Sequence, residues 1–250
     1  MKPMKTPGIL VLKQTLGYER CNLVKKTVSK GRVLDIGCGT GQNLILTSKN
    51  IDSGIGIDIA EDRLKIARKI AELNNLKNIS FENKSALDDF ESESFDWIIC
   101  TEVIEHIKED DVLLDNMTKL LKTNGKLIIT TPAEKMFTFI NTKLRNFVGE
   151  PDHVRDGYTI KELTERLEKK GFKINRSGYY GQFFSTFIHY ASSFFAKNKE
   201  VKIEKGEPKL LIYNLYKLLW PIIYLISRLD YLIPRKVQGG FIFLTAEKIN

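Results

Sequence analysis

The run Asp35-Ile36-Gly37-Cys38-Gly39-Thr40-Gly41 places three glycines at alternate positions, after an apolar β-branched stretch and before a helical pattern that starts at Gln42. Glycine turns the backbone through positive φ and lets it approach a ligand with no Cβ in the way. The spacing is G-x-G-x-G, and position 42, where a dinucleotide-binding fold wants its third glycine, is Gln42. Asp58 closes the next apolar run, Gly54-Ile55-Gly56-Ile57, and a carboxylate at such a strand end accepts from both hydroxyls of a ribose. The pairing favours an adenosyl ligand without a pyrophosphate. Acid–base candidates follow the apolar run Phe95–Cys100, where Glu102, Glu105 and His106 stand at i, i+3 and i+4. On a helical turn they would share a face, and a histidine is the residue type suited to proton abstraction near neutrality. His153 and Arg155 lie in the loop Pro151–Thr159. They either bind an acceptor or form a plain salt link with Asp152 or Asp156. His189 falls in an apolar helical pattern and reads as a packed residue.

Positioning these groups requires an alternation of strands and helices. Strand candidates are 32–36, 53–57, 78–82, 95–100 and 126–131, and helical patterns cover 42–49, 61–74 and 110–121. In the last, Leu113, Leu114, Met117, Leu120 and Leu121 make one buried stripe, and Gly125 is expected to stop the helix before the next strand. Thr159 reads as an N-cap with Glu162 three residues on, opening a helix to Lys170. Residues 172–180 and 240–248 alternate in polarity and are expected to pair as a closing antiparallel hairpin. The fold class is therefore α/β: a Rossmann-like three-layer sandwich around a mostly parallel seven-stranded sheet, with an antiparallel C-terminal hairpin and a helical lid. Residues 1–181 and 237–250 form the main domain, and 182–236 an apolar helical lid inserted between the last two strands.

The 250 residues suffice for one elaborated α/β domain. Hydrophobic content of 42% and charged content of 28% are those of an ordinary globular chain. Cys21, Cys38 and Cys100 are far apart in apolar or glycine-rich runs, which fits a reducing compartment and no disulfide framework. The first eight residues lack the apolar region of a secretory signal, so the expected location is cytoplasmic. The net charge of +8 is uneven: residues 1–30 carry seven Lys/Arg against one acid, 182–250 ten against five, and 31–181 22 against 25. A basic balance suits nucleic acid or an anionic membrane surface. No aromatic-interleaved basic motif of the RNA-binding kind occurs, so no nucleic-acid partner is expected.

Segments 182–196 and 210–226 are rich in aromatic and aliphatic residues, with a lysine-rich stretch between them. The second contains Asn214, Lys217 and Pro221 and falls short of the roughly 20 apolar residues that span a bilayer. Trp220 and Tyr190, Tyr213, Tyr216, Tyr224 and Tyr231, with nearby lysines, suit an interface. Two readings stand: helices packed as a lid, or a lid (182–231) that also contacts a membrane surface or a lipid-like acceptor, peripheral at the inner membrane face.

The run VLDIGCGTG resembles the first motif of class I S-adenosylmethionine-dependent methyltransferases, and GIGIDIAEDRLKIAR their second. FDWIICTEVIEHI resembles the strand-four motif and LLKTNGKLIITTP the fifth-strand segment, so the likeness covers residues 31–132 in order. It implies S-adenosyl-L-methionine as cofactor, with Asp35, Gly37, Cys38, Gly39 and Gly41 along its methionine and ribose part. Asp58 would bind the ribose and Ile59 would pack on adenine. Quinone-biosynthesis O-methyltransferases carry an arginine before the first strand that meets the cofactor carboxylate, which puts Arg20 in that role; a solvated helix arginine is its rival. Thr101 would lie beneath the sulfonium. Many relatives have Asp-Ala after strand three, whereas this chain reads Lys84-Ser85-Ala86, leaving Ser85 and Ala86 to hold adenine without a charge. Catalytic candidates are His106, Glu102 and His153. The E-x-x-E-H spacing resembles one that holds a divalent metal in quinone O-methyltransferases, but one of its members often only caps a helix, and no metal ligand is assigned. The expected activity is methyl transfer to a small, hydrophobic acceptor, with oxygen favoured in a quinone or lipid precursor. A glycan or glycolipid sugar is the alternative, and a non-catalytic cofactor-binding protein the rival of another class.

Overall fold

The computed structural model describes residues 14–88, 90, 92–134, 154–155, 157–181, 184, 222, 225–226, 228–234 and 236–249. In chain order its elements are α1 (Gln14–Thr27), β1 (Arg32–Ile36), α2 (Gln42–Thr47), β2 (Ser53–Asp58), α3 (Glu61–Leu73), β3 (Ile79–Asn83) and β4 (Phe95–Thr101). A 3-10 turn (Ile104–His106), α4 (Asp110–Leu120), β5 (Leu121–Pro132), α5 (Ile160–Lys169), β6 (Phe172–Tyr180), a 3-10 turn (Arg228–Leu232) and β7 (Phe241–Lys248) follow.

The strands form one sheet in the order β3-β2-β1-β4-β5-β7-β6. The first five run parallel, while β7 inserts antiparallel to both β5 and β6. The antiparallel C-terminal pair is thus as expected. Parallel strands need cover on both faces, and the side chains divide accordingly. Leu34, Ile98 and Cys100 join the core that contains Leu113, Met117 and Leu163 from α4 and α5. Val33, Trp97 and Ile99 alternate to the opposite face, against Val24, Leu44, Leu64 and Ile70 of α1, α2 and α3. Three layers result, as the apolar strands and striped helices imply.

The winding reverses between β1 and β4, which lie side by side with Ile36 opposite Cys100. At such a switch point the loops leaving the two strands part in opposite directions, and the crevice outside their carboxyl ends is where open α/β sheets take ligands. The glycine loop leaves β1 there, and Glu102 leaves β4.

One local expectation is corrected. Gly125 does not stop α4. The helix ends at Leu120, and Leu121 is already extended and paired with Phe95. The next matched pair is Trp97 with Lys126, so the register shifts over a bulge of β5 in which Asn124 takes φ 63. Gly125 is needed inside this bulge, because a Cβ there would sit 2.7 Å from the Lys122 carbonyl oxygen. Thr159 does cap α5, its Oγ1 accepting from the Glu162 amide at 3.1 Å. The expected lid lies almost wholly outside the described residues, as do His153 and His189. The ends of that long connection are nonetheless tied: the Phe184 amide donates to Asp230 Oδ1 at 2.9 Å, and the Gly240 amide to the Gly181 carbonyl at 2.8 Å.

Candidate active site

The glycine loop is held from beneath and open above. The Cys38 amide donates to the Ile57 carbonyl of β2, and the Gly41 amide to the Cys38 carbonyl, both at 2.9 Å. Gly37 takes φ 65 and packs so closely that a Cβ would sit 2.2 Å from Val103 Cγ2. Gly39 also has positive φ, 53, but a Cβ there would meet nothing within 4 Å. The first glycine is required by packing and the second faces free space, as a backbone that must receive a ligand should.

Asp58 ties the loop to β2. Its Oδ2 accepts from the Gly39 amide and its Oδ1 from the Ala60 amide, each at 2.8 Å. Two amide donors fix the direction of the carboxylate. Beside it Ile59 stands 78% exposed, a large apolar side chain at the rim of the crevice. Asn83 Nδ2 steadies this corner by donating to the Asp58 and Ile59 carbonyls. Further along the rim, the Ser85 hydroxyl oxygen accepts from the Leu87 amide at 3.1 Å and the Ser85 amide donates to Asp88 Oδ2 at 2.8 Å. A carboxylate therefore stands three residues past the position where relatives with Asp-Ala carry theirs, and sequence reasoning missed it. Ala86 packs against the core containing Leu34 and Ile98.

At the other end of the crevice lies a buried polar cluster. Asn43 of α2 donates through Nδ2 to Asp35 Oδ1 at 3.3 Å and to Thr101 Oγ1 at 3.1 Å. Asp35 Oδ2, Asn43 Oδ1 and Arg20 Nε are buried without a hydrogen-bond partner. Burial pushes the Asp35 carboxyl up to about 7, opposed by Asn43 and the Arg20 charge and reinforced by Asp58. Burial also works against the Arg20 charge, but Cys21, Glu102, Tyr180 and Asp35 outweigh it and its pKa is raised. A missing hydrogen bond at a buried polar atom costs about 1–3 kcal/mol, so a donor–acceptor cluster left open on one side is set up for a polar ligand. An amino acid end, with its ammonium toward Asp35 and carboxylate toward Arg20, matches these open atoms in sign. The glycine loop, Asp58 and Ile59 match a nucleoside. The residues present thus fit S-adenosylmethionine from end to end.

The expected shared face of Glu102, Glu105 and His106 is not what forms. Glu102 takes φ 55, breaking any helix at its start, and only Ile104–His106 make a 3-10 turn. Glu102 Oε1 accepts from Thr130 Oγ1 at 2.7 Å and from the Tyr180 hydroxyl at 2.8 Å. Glu105 is buried, with Oε2 accepting from Thr131 Oγ1 at 3.1 Å, whereas His106 is exposed. The three side chains thus point to three different places, and no group of three metal-ligating side chains gathers among the described residues. Arg155 stacks 4.1 Å over the Tyr158 ring and pairs with Glu162 and Asp110. The expected salt link to Asp152 or Asp156 falls on residues outside those described. A depression of about 540 Å³ adjoins that network, lined by Asp110, Asp111, Arg166 and Lys170 among others. Its charges bond to one another, with Arg166 gripping both oxygens of Asp110 at 2.7 Å, and it is an ion-pair network rather than a ligand site.

A profile of the methyltransferase domain matches residues 27–184, more than half of the chain. The chain belongs to the methyltransferase domain family. Its domain is a class I, Rossmann-like, S-adenosylmethionine-dependent methyltransferase domain. The ubiquinone biosynthesis O-methyltransferase of Glaesserella parasuis is 39% identical over 110 residues, 40% of this chain and 44% of the relative. The chain thus spans less than half the length of that curated relative. Among solved structures, phosphoethanolamine N-methyltransferase 2 of Haemonchus contortus with S-adenosyl-L-methionine superposes with a TM-score of 0.61 at 19% identity, covering 93% of this chain and 53% of that one. The cyclase SpnF superposes with a TM-score of 0.65 at 19% identity, over 92% of this chain and 80% of its own. At such identities these neighbours share the fold, and a cyclase among them shows that the fold does not fix the reaction.

Proposed function

We propose that this protein transfers the methyl group of S-adenosylmethionine to an oxygen of a small, hydrophobic acceptor such as a quinone or lipid precursor. The observation that carries the methyl-donor half is the set of partnerless buried atoms at Arg20, Asp35 and Asn43 opposite the Asp58 corner. Arg20 and Asp35 take the amino acid end, Gly37, Cys38, Gly39 and Gly41 line the methionine and ribose, Asp58 binds the ribose hydroxyls and Ile59 covers adenine. Ser85 and Ala86 border the adenine, and Thr101 lies beneath the sulfonium. The cofactor brings an activated methyl group to be displaced in line, so the protein's task is orientation and removal of the acceptor proton. His106 and His153 are the proton acceptors of this reading. Glu102 is poorly placed as the base, because its Oε1 already accepts from two hydroxyls.

The hydrophobic acceptor is supported by the likeness to ubiquinone biosynthesis O-methyltransferases and by the connection between β6 and β7. There Ile222, Leu225, Ile226, Leu229 and Leu232 are exposed. No helix among the described residues is long and apolar enough to cross a membrane. In this reading, residues 182–236 form a lid whose basic, apolar surface rests on the inner face of the membrane, with the protein otherwise cytoplasmic.

The test is to incubate the protein with methyl-labelled S-adenosylmethionine and fractionated lysate. Label entering the organic-soluble pool is expected, and label confined to RNA or to glycan would overturn the acceptor assignment. Replacing Ile222, Leu225 and Leu229 together by serine should lower co-sedimentation with anionic liposomes, and equal partitioning of both forms would sink the membrane contact.

A further inference from the structure

Tyr180, at the end of β6, is not part of the site as read from the sequence, yet it is built into it. The side chain is 1% exposed and its ring stacks on Phe241 of β7, with centroids 5.3 Å apart. Leu23 of α1 packs on the small cluster that these two rings make with Phe243. One turn back on α1, Glu19 is buried and its Oε2 accepts from the Gly181 amide at 3.3 Å. The helix that carries Arg20 is thus docked on the β6–β7 edge at the residues flanking Arg20.

The hydroxyl of Tyr180 completes the arrangement. It donates to Glu102 Oε1 at 2.8 Å, beside the Thr130 hydroxyl at 2.7 Å. Two donors on one oxygen fix the carboxylate's direction, and Glu102 adopts left-handed backbone, φ 55, to reach them. Strain of that kind persists only where surrounding contacts over-determine it. The charges of Glu102 and Asp35 both act on the Arg20 guanidinium, whose Nε has no hydrogen-bond partner.

We propose that Tyr180 and Glu102 are positioning residues for the cofactor: the tyrosine aims the glutamate, and the glutamate holds the Arg20 guanidinium toward the amino acid end of S-adenosylmethionine. The inference rests on the reading that Arg20 meets the cofactor carboxylate. Neither residue touches the methyl acceptor in this role. Their contribution is felt only by ligands that carry the amino acid, because the nucleoside half is bound on the other side of the crevice by Asp58 and the glycine loop.

Two probes separate these halves: S-adenosylhomocysteine, and 5′-deoxy-5′-methylthioadenosine, which is the same nucleoside thioether without the amino acid. Calorimetric titration of the full chain should show Tyr180→Phe and Glu102→Gln weakening S-adenosylhomocysteine by about tenfold each, since each alters one hydrogen bond or charge supporting a charged group. Methylthioadenosine affinity should stay within about twofold. Arg20→Met should remove most of the preference for the amino-acid-bearing ligand. If Arg20→Met leaves that preference intact, the underlying reading of Arg20 fails. If Arg20→Met removes it but Tyr180→Phe and Glu102→Gln do not reduce it, the positioning role is overturned and the Arg20 reading stands. Equal weakening of both probes by Tyr180→Phe would mean a general packing role and would also overturn the proposal. Thr130→Val, which removes the second donor to Glu102, supplies the same comparison should Tyr180→Phe not fold.

Discussion

Replacing Asp58 with alanine perturbs both the ligand site and the loop that forms it. The Asp58 carboxylate accepts from the Gly39 and Ala60 amides at 2.8 Å each and is only 9% exposed. A hydrogen bond to a charged group contributes about 1.5–3 kcal/mol, and the ribose contact in the complex is of that kind. The amides released by the substitution lie at the pocket rim, where water recovers part of their loss. The net effect on S-adenosylhomocysteine binding is therefore about 2–3 kcal/mol, a Kd raised roughly 30- to 150-fold. Asp58→Asn should be nearly as weak, because its Nδ2 would turn a donor toward one of two donors. Isothermal titration at pH 7.5, with thermal unfolding of each variant as a folding control, checks the magnitude. A folded Asp58→Ala variant that binds within twofold of the wild type would refute the assignment of this corner to the ribose.

Two further outcomes follow from the same geometry. Asp35 holds its proton in the folded, ligand-free chain up to about pH 7, whereas an unfolded aspartate releases it near 4. Between those values the unfolded state binds fewer protons, so the stability that Asp35 contributes is full below about pH 4 and is lost as pH rises through about 7. An ammonium beside Oδ2 favours the ionised form, so S-adenosylhomocysteine should bind more tightly as pH rises from 6 to 7.5 and release a proton. Titrations at pH 6 in buffers of different ionisation enthalpy detect it, and an unchanged proton count in Asp35→Asn would contradict the placement. Gly37→Ala and Gly39→Ala should separate folding from binding: the first drives a Cβ to 2.2 Å from Val103 and should lower the Tm by several degrees, while the second meets open space. Gly39→Ala costs about 1 kcal/mol of left-handed strain yet should lose most cofactor affinity, and normal binding by it would show that the ligand lies elsewhere.

The strands and the glycine loop were legible in the sequence because their signals are local. Val33, Leu34 and Ile36 are apolar with a glycine turn behind them, and Asp58 ends its strand as expected. Boundaries slipped where long-range pairing outweighed local preference. Leu121 completes the helical stripe by sequence but extends because Phe95 offers it a strand partner. The E-x-x-E-H spacing was misleading for a similar reason. It reads as one helical face, but the hydroxyls of Thr130 and Tyr180, which are 28 and 78 residues away, pull Glu102 into left-handed backbone. Tyr180 itself gave no signal beyond its place in an alternating strand, since its value comes from the β6–β7 edge meeting α1. Asp88 was missed because its position depends on the turn that Ser85 closes, not on any fixed spacing. Arg20 was singled out only through a family resemblance; in the structure its guanidinium stands among acidic groups with an open donor.

Hydrogen exchange with and without S-adenosylhomocysteine locates the cofactor without presupposing any acceptor. The account predicts added protection at the amides of Gly37–Gly41, of Ile59 and Ala60, and of Glu102 and Val103, around the crevice where β1 and β4 part. Saturated binding with no protection in the glycine loop, or with protection confined to the charged depression around Asp110 and Arg166, would contradict it.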